Sequence, residues 1–139
     1  MPCDKLTQIG IRNVSSTARE GYEDARRRNS TILSGRQARQ LGTNGVLAAV
    51  PAGVRYYVTT DIDGFDPSMA PRTGTSSHGG FLYYEVMEIL KDLTRRGTVV
   101  GVDLVEVAPA YDLSDITAFL AAQVLLNFLG YISAERGIS

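Results

Sequence analysis

The stretch at residues 56–81, YYVTTDIDGFDPSMAPRTGTSSHGGF, decides how this chain is read. It opens on an apolar, β-branched run, ends that run on Asp61-Ile62-Asp63, and passes at once into a loop rich in glycine, proline, serine and threonine. The continuous apolar content of residues 55–62 predicts a strand in a parallel sheet covered on both faces. Side chains alternate along a strand, so Asp61 and Asp63 are expected on one face, about 6.5–7 Å apart along the backbone. That separation lets two carboxylates reach one shared metal ion, or two ions about 3.5–4 Å apart. With no cation present, two ionised carboxylates in such a place would repel each other and lose hydration. The loop at residues 64–80 is long, and long loops in compact domains are usually functional or disordered.

Outward from this run, residues 5–12 read as a short buried strand. Ser15 or Ser16 is placed to cap a polar surface helix through TAREGYEDARRRN, and Arg26-Arg27-Arg28 within it reads as a solvated face. Residues 31–33 form a short strand candidate, and a helix is expected through residues 38–50, closed by Pro51 and Gly53. Val86, Ile89, Leu90 and Leu93 recur at helical spacing within residues 82–96, with Gly97 as the stop signal. Residues 98–107 are the next buried strand. Asp112 or Ser114 then caps a last helix, to about residue 131, that is apolar on nearly every side. Such a helix wants cover, so a core or subunit-interface position is expected. Two strand–helix–strand units in series indicate an α/β fold with parallel strands.

A chain of 139 residues has the size of one ordinary domain, and its composition is that of a soluble globular protein. The net charge of −1 leaves no basic surplus for nucleic acid. A single cysteine, Cys3, excludes an intramolecular disulfide and fits a cytoplasmic location. No run of 18 apolar residues occurs, so neither a spanning helix nor a membrane partner is expected. The first residues lack the charged-then-apolar layout of a signal peptide. They open almost directly on a strand, which suggests a cut within a larger domain.

Three separated pieces carry a resemblance. DIDGFDP is followed by AP, TGT and GG; QIGIRN stands before it at residues 8–13; VVGVDLVEVAPAYD stands after it at residues 99–112. In this order they resemble the ureohydrolases, the family of arginase, agmatinase and guanidinobutyrase, and ITAFLAAQVLLNFL resembles that family's terminal helix. The resemblance implies that residues 1–139 are the C-terminal half of a ureohydrolase domain, with the first half absent. The implied fold is a partial three-layer α/β/α sandwich. The full family sheet has eight parallel strands in the order 2-1-3-8-7-4-5-6, of which this chain supplies strands five to eight. Strand four, which sits between seven and five, is missing. A gapped sheet with exposed edges is therefore expected, and such edges invite pairing with another chain.

The same resemblance implies the chemistry, a metal-dependent hydrolysis of a small guanidino compound to urea and an amine. Family members hold two Mn2+ ions with two histidines and four aspartates. Asp61 corresponds to a bridging ligand and Asp63 to a ligand of one ion. His78 is the only histidine, and no Asp-x-His-x-Asp cluster occurs, so the metal site is incomplete in this chain. A metal-bound hydroxide is the implied nucleophile, since coordination can bring the pKa of water to about 7. Glu106 corresponds to the glutamate that pairs with the substrate guanidinium, and is the expected catalytic and substrate-binding residue. A carboxylate accepts two parallel N–H bonds from such a planar cation, and the C-terminal ends of strands are where open α/β sheets place their crevice. The plain alternative is a surface acid at a strand end.

Thr75 matches a substrate-pocket position or is a turn hydroxyl. His78 is expected at the pocket rim or as an ordinary loop residue. Asp66, before Pro67, reads as a turn former, and Asp103 as a buried, hydrogen-bonded support on the opposite face from Glu106. Arg72, Ser76 and Ala108 depart from the usual glycine, proline and asparagine of the family. At the pocket mouth, Arg72 would repel a cationic tail or attract a carboxylate. A homo-oligomer is implied for the full-length family. Two other Asp-rich motifs fit poorly. Phe65 stands where a haloacid-dehalogenase phosphatase needs Thr or Val, and it also occupies a liganding position of an EF-hand loop. The remaining alternative is a non-catalytic remnant or interaction module.

Overall fold

The computed structural model describes residues 5–12 and 18–138. Cys3 and the capping serines Ser15 and Ser16 lie outside the described residues. Four strands and four helices alternate along the chain: β1 (Thr7–Ile11), α1 (Arg19–Arg27), β2 (Thr31–Ser34), α2 (Gly35–Ala48), β3 (Arg55–Asp61), α3 (Tyr83–Arg96), β4 (Thr98–Val105) and α4 (Ile116–Glu135). The two strand–helix–strand units are present and parallel, β1 beside β2 and β3 beside β4. Each pair forms a two-stranded sheet of its own, and among the described residues no ladder joins them. The gap expected between strands is therefore there. What links the two pairs is packing: Ile9 of β1 touches both hydrophobic clusters, one centred on β3, β4, α3 and α4, the other on Ala38, Val46 and Phe81.

Local chemistry explains where the elements begin. Helix α2 starts at Gly35, three residues before the expected position. Ser34 and Gln37 form a reciprocal capping box there, Ser34 Oγ accepting from Gln37 N at 3.2 Å and Gln37 Oε1 from Ser34 N at 3.0 Å. Helix α1 buries no residue, and Arg27 and Arg28 pair with Asp24 in solvent, as its polar composition requires. Gly10 is obligatory. Its φ of +90° is left-handed, and an added Cβ would lie 2.7 Å from the Phe81 ring.

Sheet β3–β4 is covered on one face only. Tyr56, Val58, Val102 and Leu104 turn toward the cluster formed with α3 and α4. On the other face Tyr57, Thr59 and Asp61 are exposed. This corrects the expectation of a strand covered twice. Both helices that flank β4 lie over the same face, and nothing among the described residues covers the other. Helix α4 shows the same one-sidedness. Thr117, Leu120, Ala121, Val124 and Phe128 are buried at helical spacing, while Phe119 and Leu126 are 71% and 72% exposed. Despite the absence of a long apolar run, α4 is long and apolar enough to cross a membrane by length and composition. Asn127 on it donates to the Tyr83 hydroxyl at 2.9 Å, tying it to α3.

Candidate active site

Because β3 and β4 are parallel neighbours with Asp61 opposite Val105, the Asp61 turn and the Glu106 turn leave the same end of the sheet side by side. Strand β3 stops at Asp61. Residues Ile62–Gly64 form a 3-10 turn in which Ile62 is fully buried, and Asp61 Oδ1 accepts the Asp63 N–H at 3.1 Å. Asp63 is therefore not on the strand, and its relation to Asp61 comes from this tight turn rather than from strand alternation. Strand β4 likewise stops at Val105, two residues short of the expected end. Glu106 follows in the left-handed region, at φ +65°. A non-glycine residue held there costs about 1–3 kcal/mol, so the surrounding contacts must hold Glu106 in place.

Those contacts come from the signature loop. Thr73 bridges Val107, and Ala108 N donates to Arg72 O at 3.3 Å. Gly74 lies against the Glu106 carboxylate, 3.5 Å from Oε2 to where a Cβ would stand. Thr75 Oγ1 donates to Asp63 Oδ2 at 2.6 Å. One strip of chain, residues 72–75, thus touches both the Glu106 turn and the Asp63 carboxylate. The base of the loop is closed by main chain, Asp66 N to Phe81 O at 2.9 Å and Phe81 N to Gly64 O at 3.0 Å. Gly80 permits that closure, since a Cβ there would meet the Asp66 backbone nitrogen at 2.4 Å.

Arg12 is the residue that reading the sequence missed. Its guanidinium donates to Gly10 O at 2.8 Å, to Gly64 O and Ser77 O at 3.3 Å each, and to Asp63 O. It staples the end of β1 to the Asp61–Gly64 turn and the far side of the loop. The only sequence signal was its place at the end of the QIGIR strand.

Partial burial pushes the Asp61 carboxyl above its usual range; the Asp63 N–H pulls it back, and the charges of Asp63 and Glu106 push it further up. Asp61 therefore feels both other carboxylates from its place at the end of the sheet. Asp66 has the opposite character. Its oxygens accept from Ser68 Oγ at 2.8 Å, Ser68 N at 3.1 Å and Gly79 N at 3.0 Å. These bonds, the Ser68 hydroxyl's first, lower its pKa to about 2. A carboxyl depressed in the folded state stabilises above its unfolded pKa of about 3.9, and that contribution is lost as pH falls through the folded value. Asp66→Asn is expected to lower the melting temperature at about pH 7, with the gap to the parent narrowing toward about pH 2. Thermal melts at both values check this, and a constant gap contradicts it.

Asp103 accepts from the Tyr57 hydroxyl at 2.8 Å and from the Thr59 hydroxyl, and these bonds, Thr59's first, hold its pKa below the usual range. It is hydrogen-bonded as expected but only half-buried, because the face it shares with Tyr57 is uncovered. Its relation to Glu106 does not follow strand alternation either, since Glu106 is past the strand end. His78 lines a separate open cleft of about 510 Å3, with Arg12, Arg36, Arg39 and Ser34 among its walls; Asp61, Asp63, Thr75 and Glu106 are not among them. Asp112 does cap α4, its Oδ2 accepting from Thr117 N at 2.8 Å and Ala118 N at 3.0 Å.

The two Mn2+ ions implied by the resemblance find only part of their donors here. Among the described residues no group of three or more His, Cys, Asp or Glu side chains is arranged to hold a metal ion. Asp61 and Asp63 offer two carboxylates, and the rest of a coordination sphere would have to come from elsewhere.

Known proteins give this geometry its context. The chain is 37% identical over 132 residues to the agmatinase of Proteus mirabilis, covering 93% of this chain and 40% of that protein. It is 33% identical over 132 residues to the guanidinobutyrase of Pseudomonas aeruginosa, covering 93% and 41%. The chain thus spans about 40% of the length of the curated relatives it matches. Among solved structures, the proclavaminate amidino hydrolase from Streptomyces clavuligerus superposes with a TM-score of 0.82 at 32% identity, over 93% of this chain and 43% of that one. Residues 1–130 match the profile of the Arginase family, and with the paired strands, the Asp61–Asp63 turn and Glu106 in the places described, the chain belongs to that family.

Proposed function

We propose that this chain carries the C-terminal share of a ureohydrolase active site, contributing Asp61, Asp63 and Glu106 to the metal-dependent hydrolysis of a guanidino compound. The observation that carries this reading is the position of Asp61, Asp63 and Glu106 just past the C-terminal ends of two neighbouring parallel strands, braced by Thr75 and Gly74 from the signature loop. Hydrolysis adds a water oxygen to the guanidinium carbon and breaks its bond to the substituted nitrogen, which leaves as an amine while urea forms. The guanidinium carbon is a poor electrophile because its charge is spread over three nitrogens. Glu106, exposed beside Gly74, accepts two N–H bonds from that cation, orients it and balances its charge. Asp61 and Asp63 would hold two positions of a manganese site that supplies the activated water, and the remaining ligands would have to be supplied from elsewhere.

Agmatinase and guanidinobutyrase are named for agmatine and guanidinobutyrate. The two compounds share the guanidinium and differ at the far end, an amine in the first and a carboxylate in the second. With only part of the donor set among the described residues, the chain alone is a non-catalytic part of the site. The exposed edges of the two sheets, the uncovered face of β3 and the apolar face of α4 are where the rest of such a domain would pack. The test is to purify the chain with the part of the Proteus mirabilis agmatinase that it does not match, and to assay urea with manganese present. Urea release by the pair, lost in Asp61→Ala and Asp63→Ala, supports the reading. A stably associated pair that releases no urea from any guanidino compound overturns it.

A further inference from the structure

We propose that Arg72 sets the substrate class of this site, binding the carboxylate at the far end of an ω-guanidino acid and disfavouring substrates that end in an amine. The proposal rests on the reading of Asp61, Asp63 and Glu106 just given. The position of Arg72 is fixed from several sides. Its N–H donates to Thr117 Oγ1 at 3.1 Å, and its carbonyl accepts from Ala108 N, two residues beyond Glu106. Three residues on, Thr75 is bonded to Asp63. Three residues of extended chain span at most about 10 Å, so the Arg72 backbone is anchored within a long side chain's sweep of the carboxylate cluster.

The Arg72 side chain is exposed, and among the described residues no carboxylate forms an ion pair with it. The backbone of Arg72 is thus anchored close to the carboxylate cluster, while its long side chain is exposed and outside any ion pair among the described residues. The two charges sort a bifunctional substrate. The acidic cluster takes the guanidinium end. At the other end, a carboxylate meets a planar fork that binds it with two parallel hydrogen bonds, whereas an ammonium meets a like charge. Arg72 acts as a specificity-determining residue and takes no part in bond breaking.

The experiment measures kcat/KM for 4-guanidinobutyrate and for agmatine, using the chain assembled with the remainder of the Proteus mirabilis agmatinase and loaded with manganese. The parent is expected to prefer the acid. Arg72→Gly is expected to lower kcat/KM for the acid by about tenfold or more, the scale of a hydrogen bond to a charged group, without lowering it for agmatine. Arg72→Lys is expected to keep part of the preference. An acid-to-amine ratio unmoved by Arg72→Gly, or a parent that prefers agmatine, overturns the proposal while leaving the ureohydrolase reading intact. Absence of urea from both compounds overturns that reading and this proposal together. An independent readout uses the chain by itself: the Arg72 Nε–H resonance followed by NMR during titration with each compound. A shift with 4-guanidinobutyrate and none with agmatine is expected; equal shifts, or none with the acid, overturn the assignment.

Discussion

Arg12→Ala is expected to destabilise the protein by about 2–4 kcal/mol, among the larger effects of any single substitution outside the hydrophobic core. The reason lies in where the guanidinium donates. Four carbonyls, those of Gly10, Asp63, Gly64 and Ser77, lean on one half-buried side chain. Removing it takes the side-chain donor from the Asp63 carbonyl and leaves Gly64 O with Phe81 N alone, and a partly buried group that loses its partner costs more than the bond was worth. Arg12→Lys should recover little, because an ammonium cannot reach several carbonyls as a planar fork does. Denaturant unfolding of parent and variants measures the difference. Faster amide exchange at Asp63 and Phe65 would show that the turn itself has loosened. A change below about 1 kcal/mol, with unaltered exchange, would mean that the staple is incidental.

Glu106→Gln in the completed domain is expected to lower kcat/KM by roughly 10²–10³-fold, the scale seen when one preorganised electrostatic partner is removed from a reaction centre. Glu106→Gly makes the more discriminating comparison. Glu106 sits at φ +65°, where glycine rests without strain, so that variant should be no less stable than the parent while losing activity to a similar extent. Strain retained at a residue whose replacement silences the enzyme is the signature of a functional constraint. If Glu106 were a surface acid at a strand end, both variants would keep their activity, and urea assays beside thermal melts would show it.

The parts of the fold that could be read in the sequence are those set by local chemistry. The alternation of strands and helices followed from apolar runs, helical spacing and the glycine and proline stops. The break between the two strand pairs followed from strand order in the resembling family. What escaped notice depended on atoms distant in sequence. Arg12 is a plain strand-end arginine until Gly64 and Ser77 are brought to it, 52 and 65 residues later. The turn at Ile62–Gly64 escaped because an apolar isoleucine between two aspartates looks like strand, yet its burial is what pins the 3-10 turn. His78 drew attention as a lone histidine, but the loop carries it to the cleft beside Arg36 and Arg39. The apolar character of β3 and α4 was legible; which of their faces this chain leaves uncovered was not, because that depends on what packs against them.

The most direct test of the central claim is manganese stoichiometry, titrated on the chain alone and on the chain assembled with the remainder of a related agmatinase. The account predicts no tight manganese on the chain alone, because under the proposed reading Asp61 and Asp63 supply only two donors of a larger set. It predicts two tight ions per assembled domain, with both reduced or lost in Asp61→Ala. Tight binding of two ions by the chain alone would contradict the divided site, and an assembled domain that binds none would contradict the place given to Asp61 and Asp63 within it.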